Sequence, residues 1–118
     1  MNADDMKRRT RAFALRVIRL VESLPKCKTT EVIGRQLLKA GTSVGANYRS
    51  SCRAKSTPDF IAKMGIVEEE ADECAYWLEL LVDAGLVDAG DVSELVAEAN
   101  EFVAITVASI KTARRNLQ

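Results

Sequence analysis

An all-α fold, arranged as an up-down-up-down antiparallel four-helix bundle, is predicted by three features of the sequence. Hydrophobic residues make up 47% of the chain and aromatics only 5%, with Ala, Leu, Val, Glu and Arg prominent, which is the usage of packed helices rather than of a sandwich. Apolar residues recur at helical spacing in four successive segments. The breaks between segments are short and carry proline, glycine or capping residues. Four helices of about 20 to 28 residues joined by such loops must run antiparallel to their neighbours. No strand candidate, internal repeat or low-complexity segment is present. The 118 residues are expected to form a single domain, residues 1–118, small enough that oligomerisation would help it bury a core.

The first helix is expected from about Asp4 to Leu24, with Phe13, Val17, Leu20 and Leu24 as its apolar stripe and Ala14, Ile18 and Val21 widening it. Pro25 ends it, having no N–H to continue and disfavouring helical geometry at Leu24. Thr29 or Thr30 is the expected cap of the second helix, whose stripe is Ile33, Leu37, Val44 and Tyr48. Gly34, Gly41 and Gly45 each cost about 1 kcal/mol against Ala in a helix. Either Gly41 and Gly45 let a neighbouring helix approach closely, or they mark a kink. Ser56-Thr57-Pro58-Asp59 reads as a helix start, with Ser56 the cap, Asp59 reaching back from the third position and Pro58 in the first turn. The third helix then carries Phe60, Met64, Val67, Ala71, Cys74, Leu78 and Leu81, alternating steps of four and three that make an a/d seam. Ala84-Gly85-Leu86 is its glycine stop. Asp88 or Asp91 starts the fourth helix, with Val92, Leu95, Val96, Ala99, Phe102, Val103, Thr106 and Ile110 as its stripe.

Charge is sorted along the chain. Met1–Thr57 holds 13 Lys/Arg against 4 Asp/Glu, Pro58–Ile110 holds Lys63 alone against 13 Asp/Glu, and Lys111, Arg114 and Arg115 follow. A formal net charge of zero therefore conceals a distribution that permits an electrostatic partner. With no His, there is neither a Ser-His-Asp nor a Cys-His arrangement nor an imidazole metal ligand, so the chain is not expected to be an enzyme or to hold a metal or other cofactor. The Glu68-Glu69-Glu70 run with Asp72 and Glu73 lacks the ExxH pairs of dinuclear bundles and reads as a solvated face. Cys27, Cys52 and Cys74 form no CxxC pair, which favours a reducing, cytoplasmic setting. Cys74 falls in the seam as a buried thiol, whereas Cys27 sits between Lys26 and Lys28, where its pKa would be lowered. No apolar run reaches membrane-spanning length, and no signal peptide or membrane contact is expected.

Gly41–Arg49 (GTSVGANYR), Cys52–Lys63 (CRAKSTPDFIAK), Glu69–Glu73 (EEADE) and Tyr76–Leu81 (YWLELL) resemble the bacterial four helix bundle protein family, which includes the proteins encoded in intervening sequences of 23S ribosomal RNA genes. The family is also similar to the accessory variability determinant proteins of diversity-generating retroelements. The resemblance spans most of the chain. Many relatives have Pro at the position of Gly45 and an acidic Glu-Gly pair at the positions of Arg49 and Ser50. It implies a bundle that assembles as a ring, commonly a pentamer, with nucleic-acid binding as the leading proposal for its role and no catalysis.

In this topology the N-terminus, the second interhelical connection and the C-terminus share one end. That end gathers Lys7, Arg8, Arg9, Arg11, Arg49, Arg53, Lys55, Lys111, Arg114 and Arg115 against only Asp4, Asp5 and Asp59, a surface suited to the phosphates of RNA or DNA. The alternative is that basic and acidic halves complement each other between neighbouring helices or subunits, for example Arg16 or Arg19 with acidic residues of the fourth helix. Ile66, Trp77 and Leu80 share a flank beside the third-helix seam, either extra core or a homo-oligomer contact; the resemblance favours the contact. A second functional class is a protein-interaction adaptor that recruits a partner such as a nucleic-acid enzyme.

Overall fold

A computed structural model describes residues 2–117. Four helices follow one another: α1 (Ala3–Ser23), α2 (Lys28–Ser51), α3 (Thr57–Asp83) and α4 (Ala89–Arg115). They form an all-α, up-down-up-down bundle about 50 Å long and 22 by 19 Å across. Among the described residues no strand occurs and no helix is long and apolar enough to cross a membrane.

Each helix boundary has a chemical cause. Asn2 caps α1, its Oδ1 accepting from the Asp5 N–H at 2.9 Å, and Leu24 turns to extended geometry before Pro25. The cap of α2 is Cys27 rather than Thr29 or Thr30. Thr30 instead occupies the third position, where its Oγ1 accepts from the Cys27 N–H at 3.1 Å. The capping residue is thus displaced by the one whose hydroxyl reaches backwards. Ser56 caps α3 as expected, accepting from the Asp59 N–H at 3.1 Å. The Asp59 carboxylate reaches one residue further than a capping box requires, to the Lys55 N–H at 3.0 Å. Gly85, at φ +74°, closes α3 with Leu86 N–H donating to Leu81 C=O at 3.0 Å and Gly85 N–H to Val82 C=O at 2.9 Å, the paired bonds of a Schellman stop.

The core runs the length of the bundle. From α3 it takes Met64, Val67, Ala71, Cys74, Leu78 and Leu81, all buried, and from α4 Val92, Leu95, Ala99, Phe102 and Ile110. Phe60, at the foot of the seam, is only half-buried. Thr10 and Thr106 lie within this apolar interior with their hydroxyls donating to Met6 C=O at 2.8 Å and Val103 C=O at 2.9 Å, which removes the cost of burying them. Helix α3 is sandwiched between α2 and α4, whereas α1 rests mainly on α2 and meets α4 more sparingly. Phe13 bridges α1 and α4, edge-on to Phe102 at 5.4 Å between centroids.

Helix α2 runs unbroken through its glycines, which resolves their role in favour of close approach. A Cβ on Gly41 would lie 2.7 Å from Val17 Cγ1, and one on Gly45 3.1 Å from Thr10 Oγ1. Gly41→Ala therefore sets about 1 kcal/mol of helix propensity against an overpacking cost of about 1–3 kcal/mol, and Val17, stiff about χ1, has no room to yield. We expect a net loss of stability in urea denaturation. Gly65, with nothing within 4 Å of the same position, is the control: Gly65→Ala should gain about 0.5–1 kcal/mol.

Candidate nucleic-acid interface

Three separate stretches of chain converge at one end of the bundle. A cleft of about 620 Å³ there is bordered by Ala3 from α1, by Tyr48, Cys52, Lys55 and Thr57 around the α2–α3 connection, and by Asn116 beyond α4. The ends of α2 and α4 at this foot carry Arg49 and Arg114 with Arg115, and the starts of α1 and α3 carry Asp4, Asp5 and Asp59. Each charge complements the partial charge of its own helix terminus.

The cations gathered here do not all act together. Lys7, Arg11, Arg49 and Arg53 line a groove of about 490 Å³ between α1 and α2. Its floor is small or weakly polar, with Thr10, Ala14, Thr42, Gly45 and Ala46, and among the described residues no carboxylate lines it. The groove exists because side chains on its floor are short. Lys111, Arg114 and Arg115 are exposed on the last turns of α4. Lys55 is exposed beside Asp59, which also accepts from Lys63 Nζ at 3.0 Å. These contacts, led by the Lys55 N–H, hold the Asp59 carboxyl below its ordinary pKa.

Among the described residues, two arginines of this basic end have ion-pair partners within the fold. Arg8 is ion-paired with Asp5 one turn earlier, on the exposed surface. Arg9 points across to α4, pairing with Glu98 and Glu101, the latter at 3.1 Å, and lying 5.3 Å over the Phe102 ring. Its hydrogen bond to Glu101 raises its pKa further. Arg16 pairs with Glu94 of α4 at 2.8 Å, so charge complementation between α1 and α4 does occur, through Arg16 rather than Arg19. Arg9 serves a structural role as a clamp between helices that otherwise touch little. Arg9→Ala should cost about 1–2 kcal/mol as its ion pairs and ring contact disappear, and part of that cost should vanish above about 0.5 M salt, where exposed pairs are screened; thermal melts at two ionic strengths test this.

On α3, Ile66 is exposed, whereas Trp77 and Leu80 are half-buried and packed against the core. The Trp77 Nε1–H donates to Glu73 at 3.0 Å, and its ring meets Tyr76 edge-on at 5.0 Å. Tyr76 is 56% exposed, the most open large apolar residue on α3, and Leu15 on the far side of α1 is 44% exposed. Both escape a search for core stripes, because each lies outside one. Their signal in the sequence was a large apolar residue standing off the buried stripe of its helix. Glu70 sits partly buried near Glu73 and Glu69, and burial first, then these neighbours, raises its pKa.

Among the described residues no three Asp, Glu or Cys side chains converge in the manner of metal ligands. The cysteines are free, with Cys27 and Cys52 exposed and Cys74 buried. The Thr30 side chain lowers the Cys27 pKa, while burial pushes Cys74 to about 12. A thiol reagent should therefore label Cys27 and Cys52 rapidly in the native protein and Cys74 only upon unfolding, with Cys27 reacting at lower pH than an ordinary thiol; peptide mapping after timed alkylation reads this directly.

The molecule is thus a four-helix bundle whose foot is basic and whose α1–α2 seam holds a carboxylate-free groove. The chain belongs to the 23S rRNA-intervening sequence protein family, whose model matches residues 4–108. A crystal structure of a protein of unknown function from the S23 ribosomal protein family of Bacteroides thetaiotaomicron is similar to it at 33% identity and a TM-score of 0.84, covering 90% of this chain and 98% of that one. No curated protein matches the chain.

Proposed function

We propose that this chain is a non-enzymatic, self-assembling bundle that binds RNA or DNA through backbone phosphates at its basic end. The observation that carries this reading is the α1–α2 groove, with four cations and no carboxylate on its walls among the described residues. Concave basic surfaces attract polyanions and exclude competing counter-charge, and phosphate contacts supply most sequence-independent affinity. Among the described residues no aromatic side chain lines the groove, which argues against base stacking as a main contribution. The family's association with 23S rRNA intervening sequences is in keeping with an RNA-linked role. Three free cysteines fit a reducing cytoplasm. The assembly part of the reading rests on the exposed apolar side chains of Ile66 and Tyr76, with the half-buried Trp77 beside them, and on the family resemblance, which favours five copies.

The test is a salt titration of binding to labelled RNA and DNA. With about five phosphates engaged, log affinity falls with log salt at a slope near −4.5 for duplex DNA and less steeply for single strands. Replacing Lys7, Arg11, Arg49 and Arg53 together by Ala should weaken binding to every sequence alike and flatten the slope by about 0.9 for each phosphate no longer engaged. Lys26 and Lys28, at the opposite end, are the control pair. Absence of wild-type binding at low salt, or equal loss in both variants, would remove the nucleic-acid reading and leave the adaptor, with the acidic, Tyr76-bearing face of α3 as its contact surface.

A further inference from the structure

Among the described residues, the backbones of helices α1 and α3 do not approach each other closely within the chain. They occupy diagonal corners, so their outward faces point to opposite sides of the molecule. The two faces are opposite in charge and alike in pattern. On α1, Arg8, Ala12, Leu15 and Arg19 follow at i, i+4, i+7 and i+11, and all four are exposed. On α3, Ala62, Ile66, Glu69, Asp72 and Tyr76 form the corresponding exposed ridge. Each ridge thus sets open apolar side chains, Leu15 on one and Ile66 with Tyr76 on the other, among charges of one sign.

Among the described residues Arg19, Glu69 and Asp72 have no ion-pair partner, and Arg8 has only the exposed Asp5. These charges are therefore available across a subunit boundary. Their heights also agree. Both helices begin at the basic foot, at Ala3 and Thr57, and rise about 1.5 Å per residue. To within about one turn, Arg8 is level with Ala62, Leu15 with Glu69, and Arg19 with Glu73. A second copy rotated about an axis along the bundle would keep these levels. Arg19 would then meet Asp72 and Glu69, and Leu15 would sit beside Ile66.

We infer that the α1 ridge of one copy docks on the α3 ridge of the next, giving a heterologous, head-to-tail interface between copies of this chain. The inference rests on the assembly reading above and names its two surfaces. A foreign basic or acidic partner would satisfy one ridge and leave the other; a second copy satisfies both. An interface of this type closes into a ring when the rotation between successive copies divides a full turn and otherwise extends as an open row. The α1–α2 groove, on a different flank of α1, stays open in this arrangement.

The experiment is light scattering on nuclease-treated protein at micromolar concentration, with helix content checked by circular dichroism. Wild type should show a multiple of 12.9 kDa. Arg19→Glu should weaken association by at least about a hundredfold, since a like charge then faces Glu69 and Asp72. Glu69→Arg with Asp72→Arg should do the same. All three changes in one chain should restore the wild-type mass, and a one-to-one mixture of the two variants should associate where each alone does not. If these variants keep the wild-type mass, or neither the threefold variant nor the mixture re-associates, this interface is wrong while assembly itself stands. A monomeric wild type would remove assembly altogether, and this interface with it.

Discussion

The contact between α1 and the glycines of α2 governs most of what is distinctive here. At Gly41 the α2 backbone lies so close to Val17 that any side chain would collide with it, and at Gly45 the neighbour is Thr10. Small residues at a helix crossing allow short interaxial distances, which depend on the side chains at the contact. Two consequences follow. Helix α1 is drawn towards α2 and away from α4, which leaves the α1–α4 side to the Phe13–Phe102 contact and to ion pairs from Arg9 and Arg16. The same short side chains leave the floor of the basic groove low, so Lys7, Arg11, Arg49 and Arg53 stand around a concavity rather than on a ridge.

Charge placement follows a hierarchy set by local chemistry. At helix termini the signs obey the dipole, acidic at the starts of α1 and α3 and basic at the ends of α2 and α4. Between α1 and α4 the charges hold helices together. What remains after these internal uses is a groove of one sign on the α1–α2 seam and two uncovered ridges of opposite sign on α1 and α3. That remainder, rather than the total of basic residues, is the surface left for a partner.

Helix α3 carries the central burden of packing, with one seam facing both α2 and α4. Its residues grade from a buried stripe of enclosed side chains, through a half-buried border, to an outer face of carboxylates interrupted by Ile66 and Tyr76. Trp77 stands at the border, anchored by its bond to Glu73 and by partial burial. The flank defined by Ile66, Trp77 and Leu80 is therefore graded rather than uniform, with Leu80 and Trp77 leaning on the core and Ile66 open to solvent.

The sequence by itself determined the fold class, the four helices and most of their ends, because helical periodicity, the Ser56 cap, Pro25 and Gly85 act through bonds spanning only a few residues. It also determined that three basic stretches meet at one end, since short loops leave no other topology. The α2 start was displaced to Cys27 because a threonine can either cap or reach back, and only the path of the preceding turn chooses between them. Tertiary structure alone decided the meaning of the glycines, which depends on what stands opposite them. It alone separated Arg9, turned towards Glu98, Glu101 and the Phe102 ring, from Lys7 and Arg11, turned towards the groove. Neighbouring residues on one helix point about 100° apart, so a run of basic residues that reads as one cluster along the chain is divided in space among surfaces with different partners.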